Sequence, residues 1–194
     1  MARTVKDPEE RRREILDAAM RLFAERGYDA VSMRDISRAA GITAGLCYHY
    51  FDSKQKLFAV ALDVYAHECA DAFLPILDDA RLTLAEKMDA LFAAAAEEGN
   101  LRYHEFFHAQ GSHAFHRQLF FALSERLRPH VLAAVNADAR RRGMTVESPE
   151  VLVDFILNGQ LGIMTAPDAP DRRKLALVRG YLDVLLASQT RPAP

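Results

Sequence analysis

The start and stop signals for helices in the first third of the chain constrain its fold more than any other feature. Ser32, Thr43 and Ser53 are residue types that commonly cap a helix N-terminus, and each stands just before a helix-compatible segment. Gly27 and Gly41 follow such segments, where the left-handed conformation open to glycine ends a helix. Together these signals predict helices at 9–26, 33–40, 44–50 and 54–79.

Helical periodicity continues through the rest of the chain. The first predicted helix carries an apolar stripe at three- and four-residue spacing, which comprises Ile15, Ala18, Ala19, Leu22 and Phe23. More apolar helices are predicted at 84–98, 101–110, 114–139, 150–165 and 171–188, while alternating strand patterns and hairpin dipeptides are missing. We therefore expect an all-α fold with a three-helix domain over 1–52, a larger helical domain over 53–188 and a disordered tail over 189–194.

Composition and charge narrow the class of protein. Hydrophobic residues make up 50% of the 194 residues, which excludes a disordered chain. The net charge is −2, yet residues 1–56 hold 11 Lys/Arg against 9 Asp/Glu, so the positive charge lies where phosphate contact would need it. There is no signal-peptide pattern and no apolar run of the roughly 18–20 residues that a membrane helix needs. We expect a cytoplasmic protein with no membrane partner, in which Cys47 and Cys69 are reduced.

The segment 33–51, MRDISRAAGITAGLCYHYF, predicts two short helices joined at a glycine turn. Its inward positions are largely apolar and would pack the helices at a steep angle; they are Ile36, Ala40, Ile42, Cys47 and Tyr50. In a helix-turn-helix the second helix enters the major groove of DNA with its N-terminal residues toward the bases. Glycine turns also join helices in ordinary helical proteins, so the motif by itself leaves a purely structural interpretation open.

The longer segment 27–57, GYDAVSMRDISRAAGITAGLCYHYFDSKQKL, resembles the DNA-binding domain of TetR/AcrR-type regulators. The resemblance rests on many fixed spacings, which include Gly27-Tyr28, Asp35-Ile36, the Ala40-Gly41-Ile42-Thr43 turn, Gly45, Tyr48-x-Tyr50-Phe51 and Ser53-Lys54. It covers about the first third of the chain. The resemblance implies a ligand-responsive transcription regulator, most often a repressor, that binds a palindromic operator in double-stranded DNA as a homodimer and is released by a small-molecule effector.

The resemblance also assigns roles to individual positions in the DNA-binding domain. Thr43, Tyr48 and Lys54 match phosphate contacts of the family, and Gly45 matches the place where backbone meets DNA. Ala44 and His49 match positions that often touch bases, and Ser32 and Arg34 match positions near phosphate. Cys47 stands where a larger aliphatic residue is usual, so looser packing of the recognition helix is expected. Ala44 is apolar where many relatives are polar, which favours contact with a thymine methyl group.

Family members usually dimerise through their last two long helices, and the sequence permits this. Apolar residues and glycines at helical spacing form the candidate interface, which comprises Phe155, Ile156, Gly159, Ile163, Val178, Tyr181, Leu182 and Leu185. The alternative interpretation is that the same residues form an intrachain core.

The segment around residues 103–121 combines histidines with aromatic residues. His104 to His108 reads H-E-x-x-H, in which two histidines one helical turn apart can hold zinc. A metalloprotease is a remote alternative, because the chain is too small to add a protease cleft to the predicted domain. A metal-responsive regulator that uses His104 and His108 is the nearer alternative. The favoured interpretation is an effector pocket for a lipophilic or aromatic molecule, lined by Tyr103, His104, Phe106, Phe107, His108 and Phe120.

Other enzyme classes find no support. The sequence contains no G-x-S-x-G, no P-loop and no G-x-G-x-x-G. We therefore expect no catalytic residues, no cofactor and no enzymatic activity.

Overall fold

The computed structural model describes residues 7–95, 103, 106, 113–166 and 172–193. The first four helices are α1 (Pro8–Arg26), α2 (Met33–Ala39), α3 (Ala44–Tyr50) and α4 (Lys54–Asp78). They are followed by α5 (Leu84–Ala95) and α6 (His113–Arg141). The last helices are α7 (Pro149–Gly159), α8 (Leu161–Met164) and α9 (Arg172–Ser188). The predicted all-α fold class is confirmed.

The helix boundaries follow the local signals. The side chains of Ser32, Thr43 and Ser53 each accept a backbone hydrogen bond in the first turn of their helix. Gly27 and Gly41 have φ of +81° and +65°, a region that other residues rarely adopt. The Asp7 cap was not predicted, and the single helix predicted over 150–165 is in fact α7 and α8, interrupted at Gln160.

Two short strands correct the prediction for the C-terminal tail. Strand β1 (Met144–Val146) pairs antiparallel with β2 (Thr190–Pro192), and Arg191 forms an ion pair with Glu147 at 2.6 Å. The expected disorder over 189–194 is therefore wrong for the five of these residues that the structure describes. A three-residue strand is too short to show an alternating pattern of apolar and polar residues. The pairing also requires that α9 end close to β1, so that β2 lies beside it. A local pattern could not reveal it.

The main hydrophobic core links the N-terminal helices to α4 and α6. Ile15 and Phe23 of α1, Cys47 of α3 and Tyr65 of α4 are among its fully buried members. The core thus continues across the boundary predicted between residues 52 and 53, and that division stays a prediction. A second cluster lies between α7 and α9 and comprises Leu152, Ile156, Val178 and Leu182.

Within the described residues, none of the helices combines the length and the apolar character needed to cross a lipid bilayer.

Candidate functional site

The α2 helix begins with a complete capping box. The Ser32 hydroxyl accepts the backbone N–H of Asp35 at 3.2 Å, and the Asp35 carboxylate accepts the backbone N–H of Ser32 at 3.0 Å. Hydrogen bonds from the Ser32 side chain and backbone hold the pKa of Asp35 below its usual range. The hydroxyl of Ser32, predicted to lie near phosphate, is thus also a structural cap.

The turn between α2 and α3 is fixed by hydrogen bonds and by a small buried core. The backbone N–H of Ile42 donates to the carbonyl of Ser37 at 2.9 Å, and the Ser37 hydroxyl donates to the carbonyl of Arg34 at 2.9 Å. Ile36 and Cys47 are completely buried where the two helices meet. Burial raises the pKa of the Cys47 thiol, so this side chain acts as a small apolar group in the packing.

The outward face of α3 carries most of the predicted DNA contacts. Thr43 caps the helix by accepting the backbone N–H of Leu46 at 3.2 Å, and Tyr48 is 49% exposed. His49 is exposed as well, and its ring lies edge-on to that of Tyr50 at 5.6 Å. A Cβ added to Gly45 would meet no atom within 4 Å. Intramolecular packing therefore does not require glycine at this position.

Two further predicted contacts lie beside this face. Arg34 of α2 is exposed, and Ala44 in the first turn of α3 is half-buried. Six of the predicted DNA-contact residues are thus solvent-exposed on α2, α3 and their N-terminal caps: Ser32, Arg34, Thr43, Gly45, Tyr48 and His49.

The side chain of Lys54, predicted to contact phosphate, is hydrogen-bonded within the chain. Its ammonium donates to the carbonyl oxygens of Tyr28 at 2.8 Å and Val31 at 2.9 Å, and it lies 4.2 Å from the centroid of the Tyr28 ring. These contacts tie the start of α4 to the loop between α1 and α2. The sequence could not show them, because the partners are main-chain atoms of residues 23 and 26 positions away.

The structure divides the predicted dimerisation residues into two sets. Ile156, Val178 and Leu182 are buried within the chain, which corrects their assignment to an interface, and Leu185 is half-buried against them. Because α7 and α9 pack on each other, the residues facing inward cannot also face a partner. Gly159 is exposed. Large apolar side chains of α7, α8 and α9 are exposed as well, and together they are called the exposed apolar face: Val151, Phe155, Ile163, Leu177, Tyr181 and Val184. Leu177 and Val184 were not predicted, although they share helical spacing with Tyr181.

Two of the aromatic residues predicted to line a pocket, Tyr103 and Phe106, contact other helices of the chain instead. Phe106 is 2% exposed, and its ring packs 5.9 Å from Phe23, 5.8 Å from Phe58 and 5.2 Å from Phe115. Phe106 is therefore a core residue in an aromatic cluster that joins α1, α4 and α6. The Tyr103 hydroxyl donates to the Asp17 carboxylate of α1 at 2.8 Å.

The rest of the predicted pocket is not tested by these contacts. Phe120 is half-buried on α6, and His104, Phe107 and His108 lie outside the described residues. A cavity of about 330 Å³ lies elsewhere, on the exposed apolar face, and is lined by Ile163, Ala166, Lys174, Leu177, Val178 and Tyr181. Among the residues whose placement is described, no group of three potential metal ligands comes together.

Comparison with known proteins agrees with this geometry. Residues 15–61 match the family described as bacterial regulatory proteins of the tetR family. The chain is 38% identical over 94 residues to the transcriptional repressor KstR2 of Mycolicibacterium smegmatis, a match that covers 48% of this chain and 45% of that protein. The chain thus spans less than half the length of this curated relative.

A second relative is similar over nearly its whole length. The transcriptional regulator BetI of Brucella canis is 30% identical over 190 residues, which covers 92% of this chain and 93% of that protein. The fold matches the solved structure of a transcriptional regulator from Pseudomonas aeruginosa with a TM-score of 0.65, at 22% identity and with 94% of this chain and 93% of that chain covered. The chain therefore belongs to the TetR family of bacterial transcription regulators, which are not enzymes.

Proposed function

We propose that this regulator binds an operator in double-stranded DNA through the exposed face of α2 and α3. The observation that carries the proposal is the surface around Gly45, a position with open space above the backbone, together with the exposed polar side chains of Thr43, Tyr48 and His49 on the same short helix and its N-cap. A helix that presents small residues in its first turn can approach the major groove closely, while hydroxyl groups beside it donate to phosphates. Arg34 adds a charge on the neighbouring helix.

The second part of the proposal is a homodimer formed through the exposed apolar face. Phe155, Tyr181 and Val184 are each about two-thirds exposed at 65%, 66% and 70%. Large apolar side chains gathered on one face of a single chain commonly mark an association site. A two-fold dimer would present two recognition helices, so the operator would contain two inverted half-sites about one helical turn apart.

The third part is release of the operator by a small lipophilic or aromatic effector, which makes the protein a cytoplasmic repressor. The support is that α4 runs from Lys54, beside the α1–α2 loop, to Asp78, whose carboxylate contacts the ring of His130 on α6 at 2.7 Å. A helix shared by both ends can carry a population shift, provided that the effector binds more tightly to the conformer in which α3 is badly placed for DNA. The KstR2 relatives, named as repressors, match over about half of the chain and favour repression.

The DNA-binding proposal is tested with Gly45→Glu. This change adds a negative charge in the first turn of α3, where the helix dipole stabilises a carboxylate. No atom lies within 4 Å of a Cβ at this position to obstruct the new side chain. We expect an unfolding midpoint at or above that of the wild type and loss of binding to a duplex selected by the wild-type protein from a random pool. Ala59→Glu, which adds the same charge at an exposed position of α4, is the matched control and should bind normally. Equal binding by both variants would contradict the proposed interface.

The regulatory proposals are tested by native mass spectrometry of the purified protein, followed by metal analysis. A metal-free dimer supports the proposed assembly, and an organic adduct on that dimer supports the proposed effector class. A dimer with one metal ion per subunit favours instead the metal-responsive alternative at His104 and His108. A monomer at micromolar concentration contradicts the dimer.

A further inference from the structure

Tyr103 has a left-handed backbone, with φ of +64°. This conformation is costly for a bulky residue that is not glycine, and it persists only where surrounding contacts hold it. Such positions cluster at places where a protein stores strain for binding or switching. The contacts that hold Tyr103 in this conformation therefore indicate which function the conformation supports.

Its side chain reaches a distant part of the chain. The phenolic hydroxyl donates to the Asp17 carboxylate at 2.8 Å across 86 residues of sequence, and Asp17 lies in the middle of α1. The Tyr103 carbonyl accepts the backbone N–H of Phe106 at 3.1 Å, which closes a turn. Phe106 then packs against Phe23, near the C-terminal end of the same helix.

The turn at Tyr103 and Phe106 thus holds α1 at two points. Asp17 and Phe23 are six residues apart, so these points are separated by about 9 Å along the helix axis. The aromatic contact is apolar and not directional, whereas the hydrogen bond is directional and adds to the core packing of α1 in fixing the rotation of the helix. Because α1 packs against α2, its orientation also determines the orientation of the α2–α3 pair.

We propose that Tyr103 and Asp17 are positioning residues, which hold the helix-turn-helix in the orientation that binds DNA. The inference depends on the proposed DNA-binding function and adds a contact outside the DNA interface. Loss of the hydrogen bond removes one restraint on the orientation of α1 and allows Tyr103 to relax toward an ordinary backbone conformation. The pair thereby couples the conformation of residue 103 to the spacing of the recognition helices.

The test compares Tyr103→Phe, Asp17→Ala, the double variant and Asp17→Asn by fluorescence anisotropy on the selected duplex. We expect Tyr103→Phe and Asp17→Ala each to raise Kd roughly three- to tenfold, since one partly exposed hydrogen bond that holds α1 is lost. The double variant should be no weaker than the single ones. Asp17→Asn keeps an acceptor oxygen and should bind close to wild type.

Two further measurements separate positioning from a general structural role. The salt dependence of binding should match that of the wild type, because no phosphate contact is removed, and the optimal spacing between operator half-sites should broaden or shift. Unchanged Kd in Tyr103→Phe, additive effects in the double variant, or a fall in folding stability with no change in Kd would overturn the inference. If the wild type selects no duplex at all, the proposed function itself fails, and this positioning role fails with it.

Discussion

Replacement of Lys54 distinguishes two roles for this residue. The family resemblance predicts that Lys54 contacts a DNA phosphate, whereas in the structure its ammonium binds the loop between α1 and α2. Lys54→Met keeps most of the apolar stem and removes the ammonium. In the structure that ammonium donates to the carbonyls of Tyr28 and Val31 and lies over the Tyr28 ring. If the main role of Lys54 is to make these contacts, Lys54→Met should lower the stability of the fold and leave the number of phosphate contacts unchanged.

The expected size of the effect follows from the interactions that the ammonium makes. A hydrogen bond from a charged donor contributes about 1.5–3 kcal/mol net, and a cation–π contact at a partly exposed site adds about 0.5–1 kcal/mol. Lys54 is half-buried, so water can hydrogen-bond to the two carbonyls in the variant and offset part of the cost. We expect Lys54→Met to lower the free energy of unfolding by about 2–3 kcal/mol.

The assay combines urea denaturation with DNA binding across a range of salt concentrations. Removal of one phosphate contact reduces the slope of log K against log salt by about 0.9, whereas removal of the loop interactions leaves it unchanged. Lys56→Met is the matched control, because Lys56 is an exposed lysine in the same first turn of α4. Unchanged stability together with a slope reduced by about 0.9 would refute the loop assignment and restore the phosphate contact.

The remaining predictions concern the interface, the dimer and the α2 cap. Tyr48→Phe should weaken binding to selected and random duplexes by a similar factor in anisotropy titrations, without changing the unfolding midpoint; a selective effect would assign it to base recognition. Phe155→Glu should give a monomer in sedimentation, while Phe121→Glu, at a 56% exposed site on α6, should stay dimeric, and the same outcome for both would contradict the interface. Ser32→Ala should lower the free energy of unfolding by about 1 kcal/mol in urea titrations. The pKa of Asp35 is lowered from 3.8, so its stabilisation is present above pH 3.8 and is lost as the pH falls through the lowered pKa. Asp35→Asn should therefore lose less stability than the wild type as the pH falls below 3.8, and an unchanged acid profile would exclude this contribution.

Local sequence signals determined the N-terminal helices almost to the residue. Capping by Ser32, Thr43 and Ser53 and termination at Gly27 and Gly41 depend on atoms within a few residues, so a sequence pattern contains all the information needed. The same holds for the inward positions Ile36 and Cys47, whose spacing alone places them between two short helices. The family resemblance rested on these local features.

Contacts between distant residues were decided only by the tertiary structure. A helical stripe does not tell whether it faces another helix of the same chain or a partner, which is why Ile156 and Phe155, adjacent in sequence, have opposite exposure. The pairing of Tyr103 with Asp17 and of Lys54 with main-chain carbonyls requires elements separated along the chain to meet. Where the N-terminal helices begin and end, and which family they resemble, could be predicted from the residues alone, since those properties are local. The three-dimensional arrangement decided which side chains make intramolecular contacts and which stay exposed on the surface, since burial and hydrogen bonding depend on how whole helices are placed relative to one another.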